Sequence, residues 1–531
     1  MRHLAGWRGG GRPFTFPGRR RSLMGRKGGL SERGREGQML ETAEVGNKLD
    51  KETYKKEAPG VRTALLAVQE RIARTNLAPV IVIAGAEGAG KSETVALLHE
   101  WMDTRGLEAN VLWEPNDEER ERPEYWRFWR MLPPRGKIGI FFGSWYTQPI
   151  VSYALGHIDA AEFERCMGRV RGFERMLAAE SYPVLKYHLH LSKKVEKKRL
   201  KELLADPATR WRVHENAKQF FKRYDDFRQV TEEMLRLTSM DFAPWTVVEA
   251  ADNEYRNMTV ARSLLRALED AADRAEAKAK ARPPKTSPAL PRPKRRNVLR
   301  KLKMDRTLSG KQYDKRLAAA QADIGRLTRE LAGAEHSMLM LFEGPDAAGK
   351  GGAIRRLTAA MSPYLYRVTG IAAPTDEERA HPYLWRFWRH LPRRGRVTIY
   401  DRSWYGRVLV ERLEGFARAE EWQRAYTEIN DFEEQLAEGG VIVMKFWIAI
   451  TAEEQLQRFK DRQQTPFKQY KITEEDWRNR NKWDAYEAAA CDMVERTSTS
   501  VAPWTLVEGN DKQWARVKVA ETVRDRLAAE L

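Results

Sequence analysis

At 531 residues with 42% hydrophobic content the chain can bury two or three domain cores, and its net charge of +19 points to an anionic partner such as nucleic acid, an anionic membrane or inorganic polyphosphate. No stretch approaches about 18 uninterrupted apolar residues, which argues against a membrane-spanning helix. The two cysteines, Cys166 and Cys491, give neither a disulfide framework nor metal-ligand spacing; they read as ordinary buried thiols of a reducing, cytoplasmic compartment.

Residues 1–38 hold ten Lys or Arg against two acids, Glu32 and Glu36, so the rest of the chain carries +11. This Gly- and Arg-rich tail reads as disordered, with Met39 as the natural start. A charged helical segment follows, then Pro79–Gly85, an apolar run ending in glycine. Too short for a buried helix, it reads as a central parallel strand. Ile138–Phe142 is a second strand, and the Ala-, Glu-, Arg- and Leu-rich stretches around both read as helical. Between residues 281 and 296 five prolines forbid a continuous helix and favour an extended basic spacer. The expected linker is 283–304, between a first domain at 39–282 and a second at 305–531. Beyond it the pattern returns, with Ser337–Gly344, Val397–Asp401, Val441–Ile448 and Trp504–Glu508 as strands. Alternating strands and helices predict an α/β fold, a doubly wound parallel sheet flanked by helices in each half.

The chain is written twice. Gly85-Ala-Glu-Gly-Ala-Gly-Lys-Ser92 returns 259 positions later as Gly344-Pro-Asp-Ala-Ala-Gly-Lys-Gly351, and the same offset takes Trp126-Arg-Phe-Trp-Arg130 to Trp385-Arg-Phe-Trp-Arg389 and Ala243-Pro-Trp-Thr246 to Ala502-Pro-Trp-Thr505. A period this long marks a duplicated domain. In both copies the glycine-rich segment follows a strand and opens a helix, the setting of a P-loop. There Gly344, Ala347, Ala348, Gly349, Lys350, Gly351 and Gly352 would wrap phosphate oxygens with backbone N–H groups, and Lys350 would add a mobile cation.

A P-loop usually ends in Ser or Thr, whose hydroxyl binds Mg²⁺, but position 351 is Gly. The metal must then rely on Asp346, inside the loop, and Asp401, at the end of the next strand. Arg402, Arg407 and Arg412 follow Asp401, and Arg458, Lys460, Arg462, Lys468, Lys471, Arg478 and Arg480 crowd a later helical region that reads as a lid over the phosphates. Trp385, Trp388 and Trp504 read as core rather than as base-stacking platforms.

Taken together, the phosphate loop, Trp385-Arg-Phe-Trp-Arg389, the run from Tyr400 through Asp401-Arg402-Ser403-Trp404-Tyr405-Gly406-Arg407 to Arg412, and Ala502-Pro-Trp-Thr505 resemble the polyphosphate kinase 2 family, in particular its fused two-domain class that phosphorylates AMP. The resemblance implies a thymidylate-kinase-like P-loop fold with a helical lid, Mg²⁺, and transfer of a terminal phosphoryl group from polyphosphate to AMP, giving ADP. It implies catalytic roles for Asp346, Lys350, Asp401 and Arg402, and a polyphosphate-binding lid role for Arg462 that extends to Arg407, Lys468 and Lys471. Neither nucleic acid nor membrane is expected as a partner; self-association into a homo-oligomer is left open.

The first half departs from this pattern where it matters. Asp401 corresponds to Phe142, Arg402 to Gly143, Arg407 to Gln148, Glu411 to Ser152, Arg462 to Leu203 and Asp346 to Glu87, although Lys91 and Ser92 remain. A phenylalanine cannot hold a metal, so residues 39–282 are expected to be structural or regulatory. Two rival readings stay open: an ATP-dependent nucleoside monophosphate kinase of the same fold, and a basic nucleic-acid-binding P-loop ATPase.

Overall fold

Strands that must be covered on both faces read as nearly continuous apolar runs, and two of them set the frame of the second half. In the computed structural model, which describes residues 39–531 apart from 113, 214–215, 281–296 and 467–473, every residue of Ser337–Glu343 and of Val441–Ala449 is buried. The ten strands among the described residues are, in chain order, β1 Val80–Gly85, β2 Leu107–Val111, β3 Ile138–Phe142, β4 Val184–His190, β5 Trp245–Glu249, β6 Ser337–Glu343, β7 Tyr366–Gly370, β8 Val397–Asp401, β9 Val441–Ala449 and β10 Trp504–Glu508. They form two parallel five-stranded sheets, ordered β2-β3-β1-β4-β5 and β10-β9-β6-β8-β7. Applying the 259-residue offset turns one order into the other, so the copies share one topology. The tail at 1–38 and most of the expected linker lie outside the described residues. Residues 297–304 are described, and Val298, Leu299, Leu302 and Met304 pack against the apolar core that the two halves share.

Register positions the chemistry. β6 pairs with β8 so that Phe342 faces Asp401, and with β9 so that Glu343 faces Trp447. The loop after β6 and the carboxylate ending β8 therefore meet at the carboxyl edge of the sheet, where ligands of open α/β sheets bind.

Each copy buries an identical polar cluster. Lys445 Nζ donates to Glu433 Oε2 at 2.7 Å, to the Tyr405 hydroxyl at 2.9 Å and to the Thr497 carbonyl at 2.6 Å. In the first copy Lys186 donates to Glu174, Tyr146 and Thr238 at 2.7, 2.9 and 2.8 Å. The indoles of Trp404 and Trp145 complete the two carboxylates. All three ammonium donors are used, which is what makes a fully buried ion pair tolerable.

The halves join about a pseudo-twofold axis. Trp129 stacks on its own counterpart Trp388, with centroids 5.6 Å apart and planes 17° from parallel. The backbone N–H of Arg135 donates to Ala380 at 2.8 Å, and reciprocally that of Arg394 donates to Glu121 at 3.1 Å. Such exchange of equivalent contacts is the signature of an isologous interface. Around it Arg169 pairs with Glu438 at 2.6 Å, and Arg393 with Glu121 and Arg424 with Glu180 form further bridges. One apolar core, containing the tryptophans of both Trp-Arg-Phe-Trp runs, crosses the interface, while the opposite face of each sheet has a core of its own.

Candidate active site

The phosphate loop of the second half leaves β6 through Gly344, whose φ of +143° and proximity to strand β9 admit no side chain: a Cβ there would lie 2.4 Å from the Ile448 carbonyl. The loop turns through Ala347 at φ +63° and enters the helix Lys350–Thr358. Beneath it Arg458, 3% exposed, donates to the Ala347 and Ala348 carbonyls at 2.9 and 2.8 Å and to Gly509 and Asn510 at 2.6 and 3.0 Å. Among the cations expected in the lid, Arg458 thus props the loop from below. Lys350 Nζ lies over the loop, donating to the Gly344 carbonyl at 2.6 Å and to that of Pro345 at 3.2 Å, and burial pulls its pKa below the ordinary lysine value.

Asp401, closing β8, faces the loop where a P-loop Ser or Thr would stand: a Cβ at Gly351 would lie 3.9 Å from its Oδ2. Arg402 sits at φ +65°, in the left-handed region that is costly for a residue with a side chain. Its guanidinium donates to Asp346 Oδ1 at 2.9 Å, and Asn479, on the helix Glu474–Asn481 of the lid region, donates to Oδ2 at 3.0 Å. Burial works to raise the Asp346 pKa, but the charges of Lys350 and Arg402 and these hydrogen bonds outweigh it and hold the carboxyl below its ordinary value. Deeper in, burial pushes the Glu343 carboxyl up to about 7, against the bond it accepts from Ser403 Oγ at 2.8 Å.

These groups open into a cleft of about 800 Å³. Asp346, the loop residues Ala347–Gly352, Asp401, Arg402 and Arg462 line it together, while Gly344 lies at its base. Arg355, Lys512 and Arg516 join them from other elements, as does Arg458. Crowding has an electrostatic consequence: burial, then the neighbouring Arg458, pull the Lys512 pKa down, a strain that a bound anion would relieve. Lys468 and Lys471 lie outside the described residues. Arg407, expected among the polymer-binding cations, is not among the residues that line this cleft. It lies over the Tyr383 ring, 4.2 Å from the centroid, and pairs with Glu411 at 2.8 Å, so a π-face and a carboxylate hold it out of the cleft lining.

Sequence reasoning missed Glu343, Asn479, Arg355, Lys512 and Arg516, scattered over four elements. The repeat itself carried the signal. At the positions 259 earlier, Arg355, Arg402, Arg462, Lys512 and Arg516 become Ala96, Gly143, Leu203, Asn253 and Asn257, every one uncharged, and Glu343 becomes Ala84. The first copy keeps Lys91, bonded to the Gly85 and Ala86 carbonyls at 2.9 and 3.0 Å, but Phe142 stands beside it where Asp401 would be.

A sequence model of the polyphosphate kinase 2 family matches residues 48–276 and again 307–531. The chain belongs to the polyphosphate kinase 2 family. It carries the family's domain twice in tandem. A polyphosphate:AMP phosphotransferase of Pseudomonas aeruginosa is 52% identical over 493 residues, covering 92% of this chain and 99% of that protein. Another, from Pseudomonas syringae pv. tomato, is 48% identical over 490 residues, 92% of this chain and 98% of its own. The crystal structure of a polyphosphate kinase 2 from P. aeruginosa superimposes with a TM-score of 0.83 at 50% identity, covering 93% of this chain and 99% of that one. Among the described residues no helix is long and apolar enough to cross a membrane, and no group of three or more His, Cys, Asp or Glu side chains could hold a metal ion. Two carboxylates facing a phosphate cleft nevertheless suit Mg²⁺, which takes one or two of them and completes its shell with water and substrate oxygens.

Proposed function

We propose that the second half transfers the terminal phosphoryl group of inorganic polyphosphate to AMP, giving ADP and a polymer one unit shorter, and that residues 39–282 take no part in the chemistry. The observation that carries this reading is the asymmetry of the copies: five cleft cations and the Asp401 carboxylate occur in one and are neutral in the other. Named relatives that match nearly end to end as polyphosphate:AMP phosphotransferases support the choice of substrates.

In the transfer an oxygen of the AMP phosphate forms a bond to the terminal phosphorus, and the bridging P–O bond breaks, leaving its electron pair on the departing chain. Both reactants are anions, so the protein's work is alignment and charge neutralisation. Loop N–H groups and Lys350 hold the terminal phosphates, while Arg462, Lys512 and Arg516 carry the polymer along the cleft. Arg402, fixed through Asp346, sits where charge develops between donor and acceptor. Asp346 and Asp401 would hold Mg²⁺, which when bound supplies positive charge to the phosphoryl oxygens. A cytoplasmic setting would suit AMP and ADP as substrate and product and is in keeping with the two free thiols.

The test supplies polyphosphate, AMP and Mg²⁺ without ATP and measures ADP. ADP should form, and chelation of the metal should stop it; turnover of AMP only with ATP as donor would overturn the reading.

A further inference from the structure

The two copies place their cations differently. Around the phosphate loop the second half is cationic and the first is neutral, but on the helix that follows β4 and β9 the surplus changes sides. In the first half this helix, Lys193–Ala205, carries six Lys or Arg against two acids; its counterpart Ala452–Gln464 carries three against three. Lys194, Lys197, Lys198 and Lys201 stand at i, i+3, i+4 and i+7, so they share one face, and all four are exposed. Glu196 and Leu200, on the opposite face, are 6% and 7% exposed and seat the helix. The equivalents of the four lysines in the second half are Glu453, Leu456, Gln457 and Lys460.

Nothing in the fold calls for this lysine face. Like charges at these spacings repel and destabilise the helix that carries them, a cost that a bound polyanion would relieve. Among the described residues the one carboxylate within 4.0 Å of the four is Glu202, on the same helix, 3.8 Å from Lys198. Arg199 ties the helix to the fold instead. It donates to the Gly88 carbonyl at 3.1 Å and to that of Ala251 at 2.6 Å, much as Arg458 props the second loop. The helix is thereby fixed beside the first phosphate loop. In the second half the corresponding helix turns Arg458 and Arg462 into the cleft; in the first it turns lysines to solvent.

We infer that the exposed lysine face of Lys193–Ala205 is a second binding surface for inorganic polyphosphate, one that holds the body of a long chain while its terminus reacts in the other half. The inference rests on the proposed transfer from polyphosphate. Lysine suits the task. Its ammonium is a point charge on a flexible stem and can hold a uniform polyanion without fixing its register, whereas the planar fork of arginine imposes geometry. A chain held at two places presents its terminus at a raised effective concentration, and only chains long enough to reach both places gain. The gain is one of binding, so it lowers the KM for long chains and leaves kcat alone.

Chain-length dependence in the full protein tests this. Lys194→Gln, Lys197→Gln, Lys198→Gln and Lys201→Gln, combined, remove charge from an exposed helical face and keep its helix-forming character. The KM for polyphosphate of about a hundred units should then rise at least about fivefold, with kcat and the KM for AMP unchanged and the KM for chains of about five units within about twofold. An unchanged KM for long chains would overturn the inference. Equal losses for long and short chains would overturn it too, since they would mark a general change in the protein's field. Binding of fluorescently labelled long-chain polyphosphate, read without turnover, separates the surface from the reaction. A wild-type protein making no ADP from polyphosphate and AMP would sink the functional reading, yet weaker binding by the combined variant would still establish the surface, and equal binding would remove it. Single-stranded RNA that displaced the labelled chain as well as unlabelled polyphosphate does, at equal phosphate concentration, would assign the face to nucleic acid instead.

Discussion

Arg402 shows at the scale of one residue how the second copy differs from the first. Its backbone sits at φ +65°, and the equivalent Gly143 takes φ +80° at no steric cost. A left-handed arginine costs about 1–2 kcal/mol, so its presence reflects what the guanidinium does rather than what the turn requires. Arg402→Gly should therefore leave the melting temperature unchanged or raise it while turnover falls at least about a hundredfold, the scale of losing one electrostatic stabiliser. Thermal melts and rates on one preparation would check this; a variant that lost stability and kept its rate would refute it. Glu343 gives a pH signature. Unfolded, its carboxyl loses a proton near 4.5; folded, near 7. The folded state thus holds the extra proton between these values, and stability falls as pH rises through that window, then levels off once both states are ionised. Glu343→Gln removes the effect while keeping an acceptor for Ser403, so its gain in melting temperature over wild type should be larger at pH 8 than at pH 5. Equal gains would place the Glu343 titration elsewhere.

At the scale of elements, the buried Lys–Glu–Tyr clusters separate structural from catalytic chemistry. A lysine and a glutamate beside an active site invite a catalytic reading, but this pair recurs with the same geometry in the copy where Phe142 replaces Asp401. Its role is to pin β4 and β9 to the neighbouring helices. Lys186→Met and Lys445→Met each strand a buried carboxylate and should each cost about 3–5 kcal/mol in denaturant unfolding, by similar amounts. A loss confined to Lys445→Met would give that cluster a special part in the second half. The strands legible in sequence were those with a long apolar run, such as β6 and β9, where Lys445 is the single break, or whose end carries a motif, such as β8. β7 escaped notice because it is a polar, partly exposed edge strand, and β4 because Lys186, His188 and His190 interrupt its pattern; the partners that satisfy or bury them come from distant segments.

At the scale of the whole molecule, the duplicated fold is a pseudo-dimer in which, on the proposed division of labour, one half carries the chemistry. That the loop and Asp401 meet at one cleft was legible because a P-loop and its following aspartate are contiguous motifs. The rest was not, since Arg355, Asn479, Lys512 and Arg516 come from separate helices that converge only on folding. Nearness in sequence to Asp401 likewise did not reveal that Tyr383 and Glu411 hold Arg407. What the first half contributes is an interface, with the Trp129–Trp388 stack and a core shared across the axis. The division of labour is tested most directly by polyphosphate-dependent ADP formation in Asp401→Ala and Lys91→Ala side by side. Asp401→Ala should lose at least about a hundredfold in rate and Lys91→Ala should stay within about severalfold of wild type; comparable losses in both would show two working sites.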